Sequence, residues 1–354
     1  MKAARFHGPG DVRVEQVPDP GEPGPGEVLI RVARCGICGT DGHEYAHGPA
    51  MIPLRKRHPA SGHLGPMTIG HEFTGTVVAA ADGAAFPDGT PVRSGTRVVA
   101  GAGRWCGECE PCRAGRTNLC ASYYTYGLHA DGGLAEFVTV PARMCVAVPD
   151  GCDDASAVLA QPMAIAMHAL SRGSAKAGEP AVIIGAGGIG SLLIAAATAR
   201  GIPAHVLDLD ERRLETARCL GARTAARPDE TGLADARALG RTGAPLVIEA
   251  SGTDGGLRTA LAVAGTGGRV VMLGLPGGDV SLAVRRAVIA EIDLVSSSAH
   301  VCRTDLPAAV TALARHPIAG QITSDTVPLD EIVPRGLAPL AAGTLTGKAV
   351  IAIR

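Results

Sequence analysis

The chain has 354 residues, of which 46% are hydrophobic and 19% are charged, with a formal net charge of −1. These proportions are ordinary for a globular protein, and the near-neutral charge excludes the basic surface that nucleic acids or anionic membranes require. We therefore expect no nucleic-acid partner and no membrane partner. A chain of this length exceeds a single hydrophobic core, so two domains are expected.

Ten cysteines are present, and the chain does not open with the charged and apolar segments typical of secretion. These features favour a reducing compartment in which cysteines bind metal, and we expect a cytoplasmic protein. Residues 181–199 carry no charge over 19 positions. Four glycines interrupt this stretch, and they favour a strand, a turn and a helix over a membrane span.

The first 150 residues predict a β-rich domain of short strands that are separated by turns rich in glycine and proline. The predicted strands are 13–17, 27–32, 74–78, 97–100 and 136–140. The polar segment from Met51 to Pro66 predicts a long loop, and long loops on rigid scaffolds often border functional sites.

From about residue 180 strands alternate with helices, which is typical of a parallel sheet covered on both faces. The predicted strands are 181–184, 204–207, 246–249, 269–273 and 292–295, and the predicted helices are 189–200 and 211–220. A helix at 306–315 and a last strand at 349–353 follow, and we expect this tail to return to the first domain. The predicted domains are therefore 1–155 and 156–295, with 296–354 completing the first.

Four cysteines lie within fifteen residues, with the spacing C-x2-C-x2-C-x7-C: Cys106, Cys109, Cys112 and Cys120. Four thiolates at this spacing can surround one tetrahedral zinc ion and fill every position, which leaves none for a substrate. The segment from about 101 to 122 is therefore predicted to be a structural zinc lobe. A catalytic metal, if present, must lie elsewhere in the chain.

The segment Gly185-Ala-Gly187-Gly188-Ile189-Gly190 matches G-x-G-x-x-G between an apolar strand and a helix, the context in which this pattern binds a dinucleotide. The glycines admit a pyrophosphate to the backbone, and the helix N-terminus provides N–H donors. Asp208, at the end of the second strand, is predicted to bind the adenosine ribose, with Asp210 as its rival. The charge of Asp208 favours NAD over NADP. Arg212 and Arg213 oppose that preference, and Arg213 is included in the predicted cofactor site.

Two further segments precede the four cysteines: Gly36-Ile-Cys38-Gly-Thr40-Asp41-Gly-His43 and Gly70-His71-Glu72. With these segments the chain resembles the zinc-dependent medium-chain alcohol/polyol dehydrogenase family over essentially its whole length. Residues 41–45, 51–59 and 70–75 are similar to the 2,3-butanediol dehydrogenase branch of that family. The resemblance implies an α/β protein with a GroES-like β-rich catalytic domain and a Rossmann domain with a doubly wound parallel sheet.

The resemblance also implies two zinc ions per chain, one catalytic and one structural, with NAD as the cofactor. Cys38 and His71 match ligands of the catalytic zinc, and Asp41 would orient the ring of His71. Thr40 matches the hydroxyl that contacts the substrate oxygen. His43 matches the relay that passes the substrate proton to solvent.

Glu72 matches an acidic residue that in polyol relatives is a zinc ligand or a near neighbour. Gln161 departs from the family, because polyol relatives usually carry Glu-Pro where this chain has Gln161-Pro162. A neutral amide there raises the local charge by one, which should strengthen zinc as a Lewis acid and weaken its binding. Direct ligation by Gln161 and contact through a water both remain open, since amide oxygens are uncommon zinc ligands.

The implied reaction is reversible hydride transfer between a secondary alcohol and NAD, with backbone near Leu273 and Leu275 positioning the nicotinamide. The implied substrate is a small alcohol or ketone, namely a vicinal diol or hydroxyketone such as 2,3-butanediol or acetoin. One alternative is a polyol, sugar or amino-cyclitol dehydrogenase of a specialised pathway. Another is an NAD-binding zinc protein whose catalysis is weakened by Gln161. Relatives suggest a homodimer or a homotetramer.

Overall fold

The computed structural model describes residues 1–345 and 347–353. The chain forms two compact units, one made of residues 1–164 with 301–354 and the other of residues 165–300. The tail after residue 300 therefore belongs to the first unit. Strands β1–β18 and helices α1–α12 are numbered along the whole chain.

The first unit consists mainly of β-structure. Its strands are β1 (Lys2–Gly8), β2 (Asp11–Gln16), β3 (Glu27–Gly36), β4 (Met67–Thr68), β5 (Glu72–Ala80), β6 (Arg97–Ala100), β7 (Gly103–Arg104), β8 (Tyr124–Thr125), β9 (Phe137–Pro141), β10 (Cys145–Ala147), β17 (Thr323–Pro328) and β18 (Lys348–Ala352). Its helices are α1 (Gly39–His47), α2 (Glu110–Arg113), α3 (Asp154–Ala157), α10 (Cys302–Arg315), α11 (Ala319–Ile322) and α12 (Ala338–Ala341). Helix α4 (Ala160–Arg172) begins in this unit and continues into the second. Short 3-10 turns cover Thr117–Leu119, Ala142–Met144 and Leu329–Glu331, and Val333–Leu337 forms a π-helical turn.

Strand β3 lies inside a mixed sheet with the order β10-β6-β5-β3-β18-β17, and β9 also pairs with β3. A three-stranded sheet, β2-β1-β4, and the small pair β7-β8 complete the unit. Alternate residues of β3, Val28, Ile30 and Val32, are fully buried, as the two-residue period of a strand requires when one face covers the core. The β-rich fold predicted for this part of the chain is confirmed.

The C-terminal end of β3, where β5 and β18 pair with it, forms the corner of the sheet that positions the candidate site. Gly36, the last residue of β3, pairs with Glu72 at the start of β5 and with Val350 of β18. A side chain at Gly36 would place its Cβ 2.2 Å from a carboxylate oxygen of Glu72, so any residue larger than glycine would displace this buried carboxylate. The residues that flank these three strand ends are thereby brought together.

The second unit contains a six-stranded parallel sheet with the order β13-β12-β11-β14-β15-β16. Its strands are β11 (Ala181–Ile184), β12 (Ala204–Leu207), β13 (Thr224–Ala226), β14 (Ala244–Glu249), β15 (Ala264–Met272) and β16 (Asp293–Ser296). Its helices are α5 (Gly188–Ala199), α6 (Glu211–Cys219), α7 (Glu230–Arg237), α8 (Asp254–Val263) and α9 (Val284–Ile289). All four residues of β11 are buried. The order 3-2-1-4-5-6 is that of a dinucleotide-binding Rossmann sheet, which confirms the predicted doubly wound fold.

Helix α10 begins at Cys302, earlier than the predicted start at residue 306. Pro307 lies inside the helix, and the sequence pattern placed the helix start beside it. The carboxylate of Asp305 accepts the backbone N–H of Val301 at 2.7 Å, which satisfies a donor at the helix start. In the described part of the chain, no helix has the length and apolar character needed to cross a membrane.

Candidate active site

Cys38 and His71 meet because they flank paired strand ends. Cys38 follows β3 by two residues, His71 precedes β5 by one, and Gly36 of β3 pairs with Glu72 of β5. The sulfur of Cys38 lies 3.2 Å from Nε2 of His71. The register of one antiparallel pair therefore brings two residues that are distant in sequence to one point.

Cys38 also caps the N-terminus of helix α1. Its sulfur accepts the backbone N–H of Thr40 at 3.3 Å, and Asp41 returns a carboxylate to the backbone N–H of Cys38 at 2.9 Å. This reciprocal capping was not anticipated from the sequence. The other oxygen of Asp41 lies 3.6 Å from Nδ1 of His71, an ion-pair distance that is longer than a hydrogen bond. Asp41 thus fixes the helix start and faces the imidazole ring.

The donor atoms of Cys38, Asp41 and His71 all lie within 4.8 Å of one another, as those of a metal site do. Zinc bonds of 2.3 Å to sulfur and 2.0–2.1 Å to nitrogen in a tetrahedron place sulfur and nitrogen about 3.6 Å apart. The observed 3.2 Å is close to that separation. The chemistry and spacing of this group therefore fit a zinc ion.

The charges of the group also favour a cation. Burial acts to lower the pKa of His71, but the negative charges of Cys38 and Asp41 outweigh it and raise that pKa well above its usual value. Burial acts to raise the pKa of Asp41, but the facing imidazole of His71 outweighs it and lowers that pKa. The same negative groups that would hold a proton on the ring would attract a divalent ion.

Lys348 is a residue of this corner that the sequence analysis missed. Its ammonium lies 2.5 and 2.8 Å from the two carboxylate oxygens of Glu72 and donates to the carbonyl of Ile37 at 3.2 Å. Both side chains are buried, and the charge of Glu72 outweighs the burial that would lower the pKa of Lys348, so that pKa is raised. Among the described residues Glu72 is not part of the Cys38–Asp41–His71 group, and its ligation of a metal stays a prediction.

Three further predicted site residues lie in different surroundings. Gln161 is buried at the start of α4, and its amide oxygen meets no hydrogen-bond donor within the described parts of the chain. A buried oxygen without a donor is costly, and a cation or a water would satisfy it. Thr40 is half-buried in the first turn of α1, and His43 is exposed on the same helix. Their roles stay predictions.

The four cysteines of the lobe converge as their spacing predicts. The sulfur of Cys106 lies 3.5 Å from that of Cys120 and 4.0 Å from that of Cys112. Four Zn–S bonds of 2.3 Å in a tetrahedron require sulfur atoms about 3.8 Å apart. Backbone N–H groups of Glu108 and Cys109 point at the Cys106 sulfur and lower its pKa to about 6, which favours the thiolate.

The glycine-rich turn after β11 leaves room for a phosphate. A Cβ at Gly185 would lie 2.8 Å from the backbone nitrogen of Ser251, and one at Gly190 would lie 2.0 Å from the carbonyl oxygen of Gly185. Gly188, by contrast, faces open space at the start of the 12-residue helix α5, with half-buried Ile189 beside it. Two glycines are therefore required for packing, while the helix N-terminus beyond Gly187 stays accessible to an anion.

Asp208 holds this turn in place. Its buried carboxylate accepts the backbone N–H groups of Ala186 at 2.7 Å and Asp210 at 2.9 Å, and it lies 3.9 Å from the guanidinium of Arg213. Asp210 instead caps α6 and pairs with Arg212. The geometry therefore gives Asp208 the position beside the turn, and Asp210 a structural task.

The predicted nicotinamide segment follows β15. The backbone N–H groups of Leu273 and Gly274 donate to the carbonyl of Glu249 at 2.9 and 3.0 Å. Leu275 is 89% exposed, although it is a large apolar side chain. Glu249 itself, which the sequence analysis did not single out, accepts the backbone N–H groups of Ser251 and Gly252 and so braces the adjoining loop.

Family models match most of the chain. The alcohol dehydrogenase GroES-like domain matches residues 24–150, and the zinc-binding dehydrogenase domain matches residues 188–315. An uncharacterized zinc-type alcohol dehydrogenase-like protein from Haemophilus influenzae is 34% identical over 94% of this chain and 93% of its own length. The (R,R)-butanediol dehydrogenase of Bacillus subtilis is 37% identical over 63% of this chain and 62% of its own length. The sorbitol dehydrogenase of Bombyx mori is 32% identical over 94% of this chain and 90% of its own length.

Solved structures agree with these relatives. The crystal structure of 2R,3R-butanediol dehydrogenase from Bacillus subtilis matches with a TM-score of 0.89 and 28% identity, covering 100% of this chain and 99% of its own. An alcohol dehydrogenase from Escherichia coli CFT073, described as short-chain and complexed with NADH, matches with a TM-score of 0.86 and 25% identity. The match covers 100% of this chain and 99% of its own.

Fold and site together define a zinc-dependent alcohol or polyol dehydrogenase that uses a nicotinamide cofactor. The chain belongs to the zinc-containing medium-chain alcohol dehydrogenase family. The resemblance drawn from the sequence is thereby confirmed, as are its GroES-like and Rossmann domains.

Proposed function

We propose that the protein catalyses reversible oxidation of a small vicinal diol to a hydroxyketone, such as 2,3-butanediol to acetoin, with NAD as the hydride acceptor. The observation that carries this proposal is the mostly buried Cys38–Asp41–His71 group, whose sulfur and imidazole lie 3.2 Å apart. Butanediol dehydrogenases among both the relatives and the solved structures support the diol. An aromatic content of only 3% argues against a large aromatic-lined pocket.

The residues of the first unit would divide the work as follows. Cys38 and His71 bind the catalytic zinc, with Asp41 orienting the ring and Gln161 and Glu72 beside them. Zinc, when bound, supplies a Lewis acid that stabilises negative charge on the substrate oxygen. The hydroxyl of Thr40 would accept the proton of the substrate alcohol while it releases its own proton, and exposed His43 would pass a proton on to solvent. The four lobe cysteines bind a second, structural zinc.

NAD would be bound by the turn from Gly185 to Gly190 and by Asp208. The 2′-phosphate of NADP would be repelled there by the buried carboxylate of Asp208, because the guanidinium of Arg213 lies 3.9 Å from it, beyond hydrogen-bond distance. Leu273 and Leu275 would border the nicotinamide, which carries the redox step.

A polyol, sugar or amino-cyclitol substrate is the second candidate. The sorbitol dehydrogenase of Bombyx mori, which matches almost the whole chain, favours a polyol. Gln161 favours a substrate different from that of the relatives that carry glutamate at this position, such as a larger cyclitol or sugar. A third reading, a zinc protein that binds NAD with weakened catalysis, rests on Gln161 alone.

We also propose a homodimer formed through the exposed edge of the parallel sheet, with a homotetramer as the larger alternative. Strand β16 ends that sheet, and the neighbouring segment carries exposed apolar side chains: Val284 58%, Val288 69%, Ile289 71% and Leu294 37%. An exposed strand edge beside apolar side chains favours pairing with a second copy. Light scattering of the wild type and of Val288→Glu tests it, because the charge should dissociate the dimer.

The decisive experiment measures NADH formation against stereochemically defined diols, polyols and mono-alcohols, with zinc counted on the same sample. The proposal expects turnover of a vicinal diol with two zinc ions per chain. Turnover of polyols alone supports the second candidate. One zinc per chain without turnover of any alcohol contradicts the proposal.

A further inference from the structure

Two histidine rings from separate loops lie side by side in the first unit. His58 belongs to the long polar loop that ends before β4, and His129 belongs to the turn after β8. Their ring centroids are 4.6 Å apart. Neither residue belongs to the metal groups formed by the described residues.

Backbone hydrogen bonds fix the tautomer of both rings. The N–H of Ser61 donates to Nδ1 of His58 at 3.1 Å, and the N–H of Thr125 donates to Nδ1 of His129 at 3.0 Å. A ring nitrogen that accepts a hydrogen bond carries no proton, so in each neutral ring the proton is on Nε2. Burial lowers the pKa of both histidines, that of His129 to about 4, so both rings are neutral at pH 7.

Each ring therefore offers one N–H donor, the one on Nε2. Within residues 1–345 and 347–353, Nε2 of His58 and Nε2 of His129 make no hydrogen bond. The arrangement does not suit a metal, because a metal ligand needs a lone pair on the nitrogen that here carries the proton. It suits an oxygen that accepts two hydrogen bonds.

The pair is held firmly by its surroundings. The hydroxyl of Ser61 donates to the carbonyl of His129 and so joins the two loops. The loop closes on itself through hydrogen bonds between His58 and His63 and between Gly62 and His58. The buried ring of Tyr124 lies edge-on to His58, with centroids 6.2 Å apart. Little rotational freedom remains to be lost when a ligand binds.

The turn that carries His129 also packs against the metal-binding segment. A Cβ at Gly127 would lie 2.3 Å from the carbonyl oxygen of Gly70 and 2.8 Å from the backbone nitrogen of His71. The N–H of Gly133, beyond the same turn, donates to the carbonyl of Gly70 at 2.8 Å. The turn that carries the Nε2–H donor of His129 thus packs directly on Gly70, the residue that precedes His71.

We propose that the Nε2–H groups of His58 and His129 form a polar subsite that binds a second oxygen of the substrate. Two uncharged donors match a neutral hydroxyl or carbonyl oxygen, whereas a carboxylate or phosphate is better matched by a guanidinium. The substrate is therefore an alcohol that carries a further hydroxyl or carbonyl group. This inference rests on the proposed function and makes the histidine pair the reason for its preference for diols.

The test compares 2,3-butanediol with 2-butanol, which lacks the second oxygen. His58→Phe and His129→Phe keep a ring but remove the donor, whereas the Gln variants keep an amide N–H near the position of Nε2. We expect each Phe variant to lower kcat/KM for the diol roughly tenfold, as the loss of one hydrogen bond implies. In the same Phe variants, kcat/KM for 2-butanol should stay within about twofold of the wild-type value. The Gln variants should recover most of kcat/KM for the diol.

His63→Phe is the matched control. His63 lies in the same loop, but its Nε2 already faces the carbonyl oxygen of Gly65 at 3.3 Å. Loss of the His63 ring should therefore leave the ratio of kcat/KM for the diol to kcat/KM for 2-butanol unchanged. Calorimetric binding of acetoin and 2-butanone to the NADH-loaded protein gives a second readout. Acetoin should lose roughly tenfold in affinity in the Phe variants, and 2-butanone should not.

The outcomes separate the two proposals. The subsite is overturned if kcat/KM falls equally for 2,3-butanediol and 2-butanol. It is also overturned if the ratio of these two kcat/KM values is unchanged in both Phe variants. In either case the proposed function stands. A wild-type enzyme that oxidises both alcohols equally well also overturns the subsite. A wild type that oxidises neither alcohol with NAD or NADP contradicts the proposed function itself.

Discussion

The two cysteine-containing sites of this protein are built in opposite ways. The lobe takes all four sulfur atoms from one continuous stretch, and its Cys106 is exposed. The Cys38–Asp41–His71 group takes its members from two segments and lies mostly buried, and Lys348 from a third segment pairs with Glu72, the neighbour of His71 along the chain. A closed site can depend on local spacing, whereas a site that must leave room for a substrate depends on the surrounding fold.

Replacement of Cys38 by serine should produce the largest effect and distinguish the two sites most clearly. A Lewis acid is worth several kcal/mol of charge stabilisation, so its loss should lower kcat/KM by about a thousandfold or more. Zinc content should fall from two ions per chain to one, with the remaining ion in the lobe. Cys35→Ser provides the control, since Cys35 is outside both metal groups of the described residues. Full NAD-linked activity in Cys38→Ser would remove the assignment of this ligand.

Lys348→Met should produce the second-largest effect, a loss of unfolding free energy, because it leaves Glu72 as a buried charge without its partner. Breaking a buried ion pair on one side typically costs about 3–5 kcal/mol of unfolding free energy. Urea denaturation measures this loss. The double variant Lys348→Met/Glu72→Gln should recover most of it, because no unpaired charge remains. If the single and double variants are equally unstable, the pair is not the source of the effect.

Cys112→Ser should act on stability rather than on chemistry. Loss of the structural ion should lower Tm by roughly 5–10 °C, since about 1 kcal/mol corresponds to 2–4 °C in a large domain. The folded fraction should keep kcat/KM within about threefold, because the lobe offers no open position to a substrate. Cys219→Ser, at an exposed site on α6, is the matched control and should change neither quantity. A thousandfold loss of activity at unchanged Tm would contradict the structural role.

Gln161→Glu should have the smallest effect and should change the open site alone. An added carboxylate should slow zinc loss to a chelator by about tenfold, the lower end of what neighbours of metal ligands contribute. The same negative charge opposes deprotonation of the substrate hydroxyl, so the acid limb of kcat/KM should move to higher pH. The release of zinc from the lobe provides an internal control, because it should not change. An acid limb that moves to lower pH would contradict an effect of charge at the metal.

Much of the second unit could be predicted from the sequence. Strands 181–184 and 204–207 agree with β11 and β12, because fully buried parallel strands appear as short apolar runs between turns. Asp208 could be placed by its distance from the glycines. Its two bonds to backbone N–H groups, and the use of Asp210 as a helix cap, could not, because they depend on how the turn and α6 approach each other.

The sequence by itself determined the lobe, the glycine-rich turn and the identity of Cys38 and His71 as candidate ligands. In each case the chemistry is encoded by residues that are close together along the chain. Only the tertiary structure decided that Lys348 neutralises Glu72 and that His58 and His129 each carry their N–H donor on Nε2. Lys348 lies 276 residues from Glu72, and strand pairing brings β18 beside β3, whose other neighbour is β5. Contacts of that range leave no local pattern, since burial, charge pairing and tautomer are set by neighbours that the fold supplies.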